Sequence, residues 1–79
     1  MHIGFVLLNC ELGAEEYILE ELQQVNEIKN AYVTFGAYDI IAEIHADRQE
    51  DFEKTVSLKI RQLSRVVSTM TLNVIDTSK

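Results

Sequence analysis

The segment IGFVLLNC, residues 3–10, is apolar on both faces of the strand that it predicts. Side chains alternate along a strand, so its apolar residues form two groups: Ile3, Phe5 and Leu7 on one side, and Val6, Leu8 and Cys10 on the other. A strand with two apolar faces must be covered on both of them. This feature restricts the chain to folds and assemblies that bury its first strand from both sides.

Five further elements are predicted downstream of this strand. One apolar stripe with a helical period occupies residues 13–25, and a second runs from Phe52 to about Leu63. The second stripe follows Asp47-x-x-Glu50, which has the spacing of a capping box. Strand patterns occupy residues 28–35, 38–46 and 66–76.

The element order is therefore β-α-β-β-α-β. Right-handed crossovers convert this order into an α+β ferredoxin-like sandwich, a four-stranded antiparallel sheet with two helices on one face. The first and third strands are central in that topology, and the second sheet face has no cover within the chain. A second copy laid face to face would bury this surface, which predicts a dimer of the α/β barrel type.

Length and charge exclude several classes of protein. The chain has 79 residues, which predicts a single domain over 1–79. Its formal net charge of -6 argues against direct nucleic-acid binding, since that affinity rests on phosphate neutralisation. No apolar run approaches the roughly 20 residues of a membrane span, and no secretory signal is present. The lone Cys10 and the lack of metal-ligand spacing predict a cytoplasmic protein without disulfide, metal or cofactor.

The break between the second and third strands contains a candidate binding site. Gly36 can adopt positive φ and lets a ligand approach backbone N–H groups, and Asp39 places a carboxylate beside them. Thr69 and Thr71 add two hydroxyls on one face of the last strand. These groups would suit a zwitterion. From the residues alone, however, turn chemistry and ordinary strand preference are the favoured explanation.

Three segments resemble the effector-binding (RAM) domain of the Lrp/AsnC family of transcription regulators: FVLLNCELG, TFGAYDIIAEIHAD and VVSTMTLNVI. The hairpin matches the family's Gly-x-x-Asp motif, and the ending matches its Val-x-x-Thr-x-Thr strand. The resemblance covers essentially the whole chain. It implies face-to-face dimers, commonly assembled into octamers, that bind amino acids between dimers. The ligand-binding residues that it implies are Gly36, Ala37, Tyr38, Asp39, Thr69 and Thr71.

The resemblance also implies a role in transcription regulation of amino-acid metabolism. Full-length members carry a helix-turn-helix domain before this one, and no such segment precedes it here. We therefore expect a stand-alone version that does not bind DNA itself, with a DNA-binding Lrp/AsnC relative as a candidate partner.

Two other functions remain open at this stage. Dimeric ferredoxin-like domains include small monooxygenases and isomerases, whose pockets lie between helices and sheet. Such chemistry needs a polar residue projecting into a cavity, whereas the inward stripes here are aliphatic with Phe52 and Tyr17, so we expect no enzyme. The second alternative is an ACT-like amino-acid sensor, which has its ligand loop after the first strand, where this chain has CELGAEE.

Overall fold

The computed structural model describes residues 1–75, so the predicted strand end at Asp76 lies outside the described part. The strands are β1 (His2–Cys10), β2 (Ile28–Val33), β3 (Ile40–Ala46) and β4 (Val66–Asn73). Two α-helices connect them, α1 (Glu15–Gln23) and α2 (Gln49–Lys54), and α2 continues as a π-helical segment over Thr55–Ile60. The sheet is antiparallel in the order β2-β3-β1-β4, which confirms the ferredoxin-like prediction and the central places of β1 and β3.

The core lies between the helices and one face of the sheet. Along β1 and β3, buried side chains alternate with half-buried ones, because successive residues point to opposite faces. Both predicted helical stripes supply the other side of the core: Ala14, Ile18 and Leu22 from the first, and Phe52, Val56 and Ile60 from the second. No helix among the described residues is long and apolar enough to cross a membrane.

Both helices begin later than predicted. Gly13 has a φ of 85°, outside the helical range, so α1 begins only at Glu15. The capping box at Asp47 is wrong, since α2 begins at Gln49 and no side chain caps its first turn. The extended residue before α2 is Arg48, whose guanidinium instead contacts Asp51 at 3.3 Å.

The second stripe is not one continuous α-helix. After Lys54 the turns widen, and the Arg61 N–H donates to the Val56 carbonyl five residues earlier at 2.9 Å. The hydroxyls of Thr55 and Ser57 donate to carbonyls four residues before them, both at 2.9 Å. These hydroxyls compete for the acceptors that α-helical N–H groups use, which gives a physical reason for the wider turns.

A β-bulge corrects the predicted faces of β4. Ser68 pairs with Asn9 and Val66 pairs with Cys10, so Val67 is the extra residue between them. Val66 therefore packs against the core instead of sharing a face with Met70 and Leu72. From Ser68 onwards the predicted alternation holds.

The second sheet face is open and largely apolar. The strand register places these side chains on it: Ile3, Phe5 and Leu7 of β1, Tyr32 of β2, Ile41 of β3, and Met70 and Leu72 of β4. A polar group interrupts the face, where His45 Nε2 lies 2.6 Å from Glu43 Oε2 and the Asn30 amide donates to the same carboxylate at 3.0 Å. These hydrogen bonds hold the pKa of Glu43 below its ordinary value, and the bond from Asn30 contributes most.

Candidate functional site

The connection between β2 and β3 is longer than predicted, because the strands stop at Val33 and begin again at Ile40. The Thr34 N–H donates to the Asp39 carbonyl at 2.8 Å, and its hydroxyl donates to the Tyr38 carbonyl at 2.7 Å. These two bonds close the loop at its base and leave its tip to solvent. Gly36 lies at the tip with a φ of 149° and open space where a side chain would begin.

The tip presents a run of unused backbone donors. Within residues 1–75, the N–H groups of Phe35, Gly36, Ala37 and Tyr38 donate to no protein acceptor. Consecutive N–H groups in a turn form a concavity that suits an anion, and a carboxylate can accept several of them. The hairpin therefore has the donors that the sequence hypothesis required.

Asp39 anchors this loop to the end of β1. Its Oδ2 accepts a hydrogen bond from the Cys10 N–H at 3.0 Å, while its own N–H donates to the Leu8 carbonyl at 3.0 Å. One carboxylate oxygen is thus engaged by the backbone of β1. These contacts directly support a role for Asp39 in holding the loop in place.

Cys10, the last residue of β1, is a buried free thiol. Burial raises its pKa, and the carboxylates of Glu15 and Asp39 raise it further. The thiolate, which is the reactive form, is therefore disfavoured at neutral pH. This environment is that of a structural cysteine.

Tyr38 lies outside β3, although the predicted strand over residues 38–46 included it. Because β3 begins at Ile40, the alternation does not extend back to Tyr38. Its hydroxyl instead donates to the sulfur of Met70 at 3.5 Å, on the open face of the sheet. Tyr38 thus joins the hairpin to the open sheet face.

Thr69 and Thr71 lie apart from the hairpin within one chain. They pair with Leu8 and Val6 and so point to the helix side of the sheet. The helices pack on β1, β2 and β3 and leave β4 largely uncovered, which keeps Thr69 half-buried and Thr71 exposed. Two strand spacings, about 10 Å, separate Thr69 from Ile40 at the start of β3. A single chain therefore presents the two halves of the candidate site separately.

Thr69 also lines a cleft of about 190 Å³ beside the first half of β4. The other lining residues are Arg61, Val66, Val67 and Ser68. Arg61 was not among the candidate site residues that the sequence indicated, so its place in this cleft was missed. Its position just after the second stripe and before a Thr-rich strand was the only available signal.

A second groove, of about 240 Å³, lies on the outer side of the π-helical segment. Its cations are already neutralised, since Lys59 contacts Glu27 at 3.1 Å and Lys54 contacts Glu50 at 3.6 Å. No cluster of His, Cys, Asp and Glu within residues 1–75 has the arrangement of a metal site. Among the described residues, neither this groove nor a group of metal-ligating side chains therefore provides an alternative binding site.

A family profile described as the Lrp/AsnC ligand binding domain matches residues 3–79. The chain belongs to this family. The match confirms the resemblance seen in the hairpin and last strand. It identifies the chain as an effector-binding module of the type found in these regulators, a class of regulatory rather than enzymatic domain. Comparison with curated protein sequences gives no match.

Solved structures support the same assignment. The Lrp/AsnC domain aligns with the crystal structure of FFRP-DM1 at 32% identity and a TM-score of 0.91, over 95% of this chain and 100% of that one. Protein PHS023 from Pyrococcus horikoshii aligns at 31% identity and a TM-score of 0.91, over 98% and 93% of the two chains.

A more distant likeness concerns a longer regulator. The transcriptional regulator NMB0573 from Neisseria meningitidis, solved as a complex with L-Met, has 14% identity and a TM-score of 0.87. The alignment covers 99% of this chain and 52% of the regulator, so this chain spans about half the regulator's length. At this identity the likeness shows a shared fold.

Proposed function

We propose that this chain, as one domain over residues 1–79, is a cytoplasmic amino-acid-binding and assembly module. It binds an α-amino acid between subunits and takes part in transcription regulation through a DNA-binding Lrp/AsnC relative. It acts as a dimer that associates further into an octamer, and it neither catalyses a reaction nor binds DNA. The observation that carries this proposal is the row of unused N–H groups around Gly36, held in place by Asp39.

The ligand chemistry follows from the donors and acceptors at the hairpin. The free N–H groups of residues 35–38 suit the ligand carboxylate, and the second oxygen of Asp39 is available to an ammonium. Thr69 and Thr71 lie elsewhere in the same chain, so they would contribute from a neighbouring subunit. The complex of NMB0573 with L-Met supports the choice of an amino acid, since that regulator shares the fold.

The open sheet face supports the dimer. A contiguous apolar surface of this kind marks an interaction site in most proteins. One polar group on this face, made by Asn30, Glu43 and His45, is hydrogen bonded within the chain, so a partner that covers it leaves these hydrogen bonds in place. A second copy presents the same face and therefore fits both the apolar area and the polar interruption.

The core supports a non-enzymatic role. The inner side chains of the helices and of β1 and β3 are buried and in contact, with Phe52 filling the region above Gly4. The two clefts described above are lined by the first half of β4 with Arg61, and by the π-helical segment with Glu27.

Asp39→Ala is expected to weaken amino-acid binding by about one to two decades, because loss of a hydrogen bond to a charged group costs about 1.5–3 kcal/mol. Gly36→Val should weaken binding further, since a β-branched residue opposes a φ of 149° and fills the approach to the amides. Calorimetry would use the amino acid chosen by a thermal-shift screen, with light scattering to verify the dimer.

The matched control for this experiment is Asp47→Ala, which removes an exposed carboxylate at the far end of β3. This variant should bind like the wild type. If all three variants bind with wild-type affinity, the glycine and the aspartate serve the turn alone and the effector site lies elsewhere.

The chain is expected to give no sequence-specific gel shift at physiological salt. A net charge of -6 opposes phosphate contacts, which supply most of the affinity of DNA-binding proteins. The control is the same DNA with a helix-turn-helix relative, alone and with this chain added. A specific complex formed by this chain alone would contradict the proposed division of roles.

A further inference from the structure

Arg61 is the one arginine that forms no ion pair within residues 1–75. Arg48 contacts Glu50 and Asp51, and Arg65 contacts Glu11, whereas Arg61 has no acidic partner within residues 1–75. In a chain with 13 acidic and seven basic residues, an unpaired guanidinium is unusual. Its surroundings therefore bear on what it binds.

The surroundings of Arg61 are those of an anion site. The cleft of about 190 Å³ brings Arg61 together with Thr69, which points to the helix side of the sheet and whose hydroxyl is a further hydrogen-bond donor. A guanidinium presents a planar fork of N–H groups that matches a carboxylate in a bidentate arrangement. Val66 and Val67 supply an apolar wall beside these donors.

The edge of β4 adds backbone donors to the same region. The Val74 N–H donates to the Ile3 carbonyl, so the backbone groups of every second residue from Val74 point towards β1. Those of Thr69 and Thr71 point outwards instead, and β4 is an edge strand without a further neighbour within residues 1–75. The N–H of Thr69, a residue that lines the cleft, is therefore directed away from β1.

We propose that Arg61, with Thr69, binds the carboxylate of the amino-acid effector from a neighbouring subunit. This inference rests on the proposed function, because Thr69 belongs to both the cleft and the candidate effector site. A carboxylate has two oxygens and accepts up to about four hydrogen bonds. It can thus be held by the hairpin amides of one subunit and by Arg61 of the next, which makes binding depend on assembly.

The first test uses the carboxylate alone. Acetate is titrated into the 15N-labelled protein, and the amide signals of Val67, Ser68 and Thr69 are followed. In the wild type these signals shift with acetate concentration, and in Arg61→Gln the shifts are lost. The matched control, Arg48→Gln, removes an exposed arginine outside the cleft and retains them. Absence of shifts in the wild type, or equal shifts in Arg61→Gln, would overturn the inference.

The second test uses the amino acid selected by the thermal-shift screen and the amine that lacks its carboxylate. Arg61→Gln is expected to weaken the amino acid by about 10- to 100-fold, and Arg61→Lys by less, since lysine keeps the charge but loses the fork. The amine should bind equally weakly to wild type and Arg61→Gln.

The outcomes separate this inference from the proposed function. If the amino acid binds through the hairpin but Arg61→Gln retains full affinity, the role of Arg61 is overturned and the effector site stands. If no amino acid binds to the wild type, the proposed function fails, and the acetate titration still decides whether the cleft is a carboxylate site.

Discussion

Replacing Gly4 with alanine is expected to destabilise the fold by about 3 kcal/mol, the upper part of the usual range for overpacking a core. A Cβ at this position would lie 2.3 Å from the Phe52 ring and 2.7 Å from the carbonyl oxygen of Leu72. The ring is buried and the carbonyl belongs to β4, so relief requires movement of both. A domain of this size has only about 3–5 kcal/mol from its core, so much of the variant should be unfolded.

Urea unfolding followed by circular dichroism, at one fixed protein concentration, measures this effect. A double-mutant cycle with Phe52→Leu separates the two contacts, since leucine removes the ring atoms that the new methyl group meets. Gly4→Ala should be less destabilising in the Phe52→Leu background than in the wild type. An unchanged urea midpoint for Gly4→Ala would show that β1 and α2 are not packed as closely as described.

The fold was predictable because two periods dominate the sequence. The two-residue alternation of Val6 and Leu8 in β1, and the stripe of Ile18 and Leu22 in α1, record directly which sides are buried. Once the element order was known, few topologies remained. The resulting sheet places β1 at the centre, as its two apolar faces require.

The features that differ from the sequence prediction depend on contacts that the periodicity of apolar residues does not reveal. The bulge at Val67 depends on the register of β4 against Asn9 and Cys10, which are distant in sequence. The close contact between Gly4 and Phe52 likewise joins residues that are distant in sequence. The π-helical segment depends on how the hydroxyls of Thr55 and Ser57 share backbone acceptors, and apolar stripes carry no information about that competition.

The candidate site was predictable only in part. Gly36 and Asp39 stand out because turn chemistry and ligand chemistry use the same residues, but the sequence does not show that Asp39 reaches the Cys10 N–H. Arg61 was missed because a cation at a helix end has a sufficient local explanation in the helix dipole. Only the structure shows that Arg61 and Thr69 line the same cleft, because this depends on how β4 packs beside the preceding segment.

Leu7→Lys is expected to convert the proposed dimer into a monomer. Leu7 lies on the central strand of the open face, opposite Ile41 of β3 and Met70 of β4, so the ammonium would enter the middle of the apolar contact. Transfer of a charge into such a surface without a partner costs several kcal/mol, and a symmetric dimer carries the change twice, whereas a micromolar association is worth only about 8 kcal/mol. The helix-side core is untouched, so the monomer should keep its secondary structure.

Light scattering and sedimentation at micromolar concentration measure this change in mass, and circular dichroism verifies the fold. The matched control is Leu58→Lys, which places the same charge on a side chain that is exposed on the outer side of the π-helical segment, away from the open sheet face. That variant should remain dimeric. A wild-type protein that is monomeric under these conditions, or a Leu7→Lys variant that stays dimeric, would show that the apolar face of β1 is not the surface through which two copies associate.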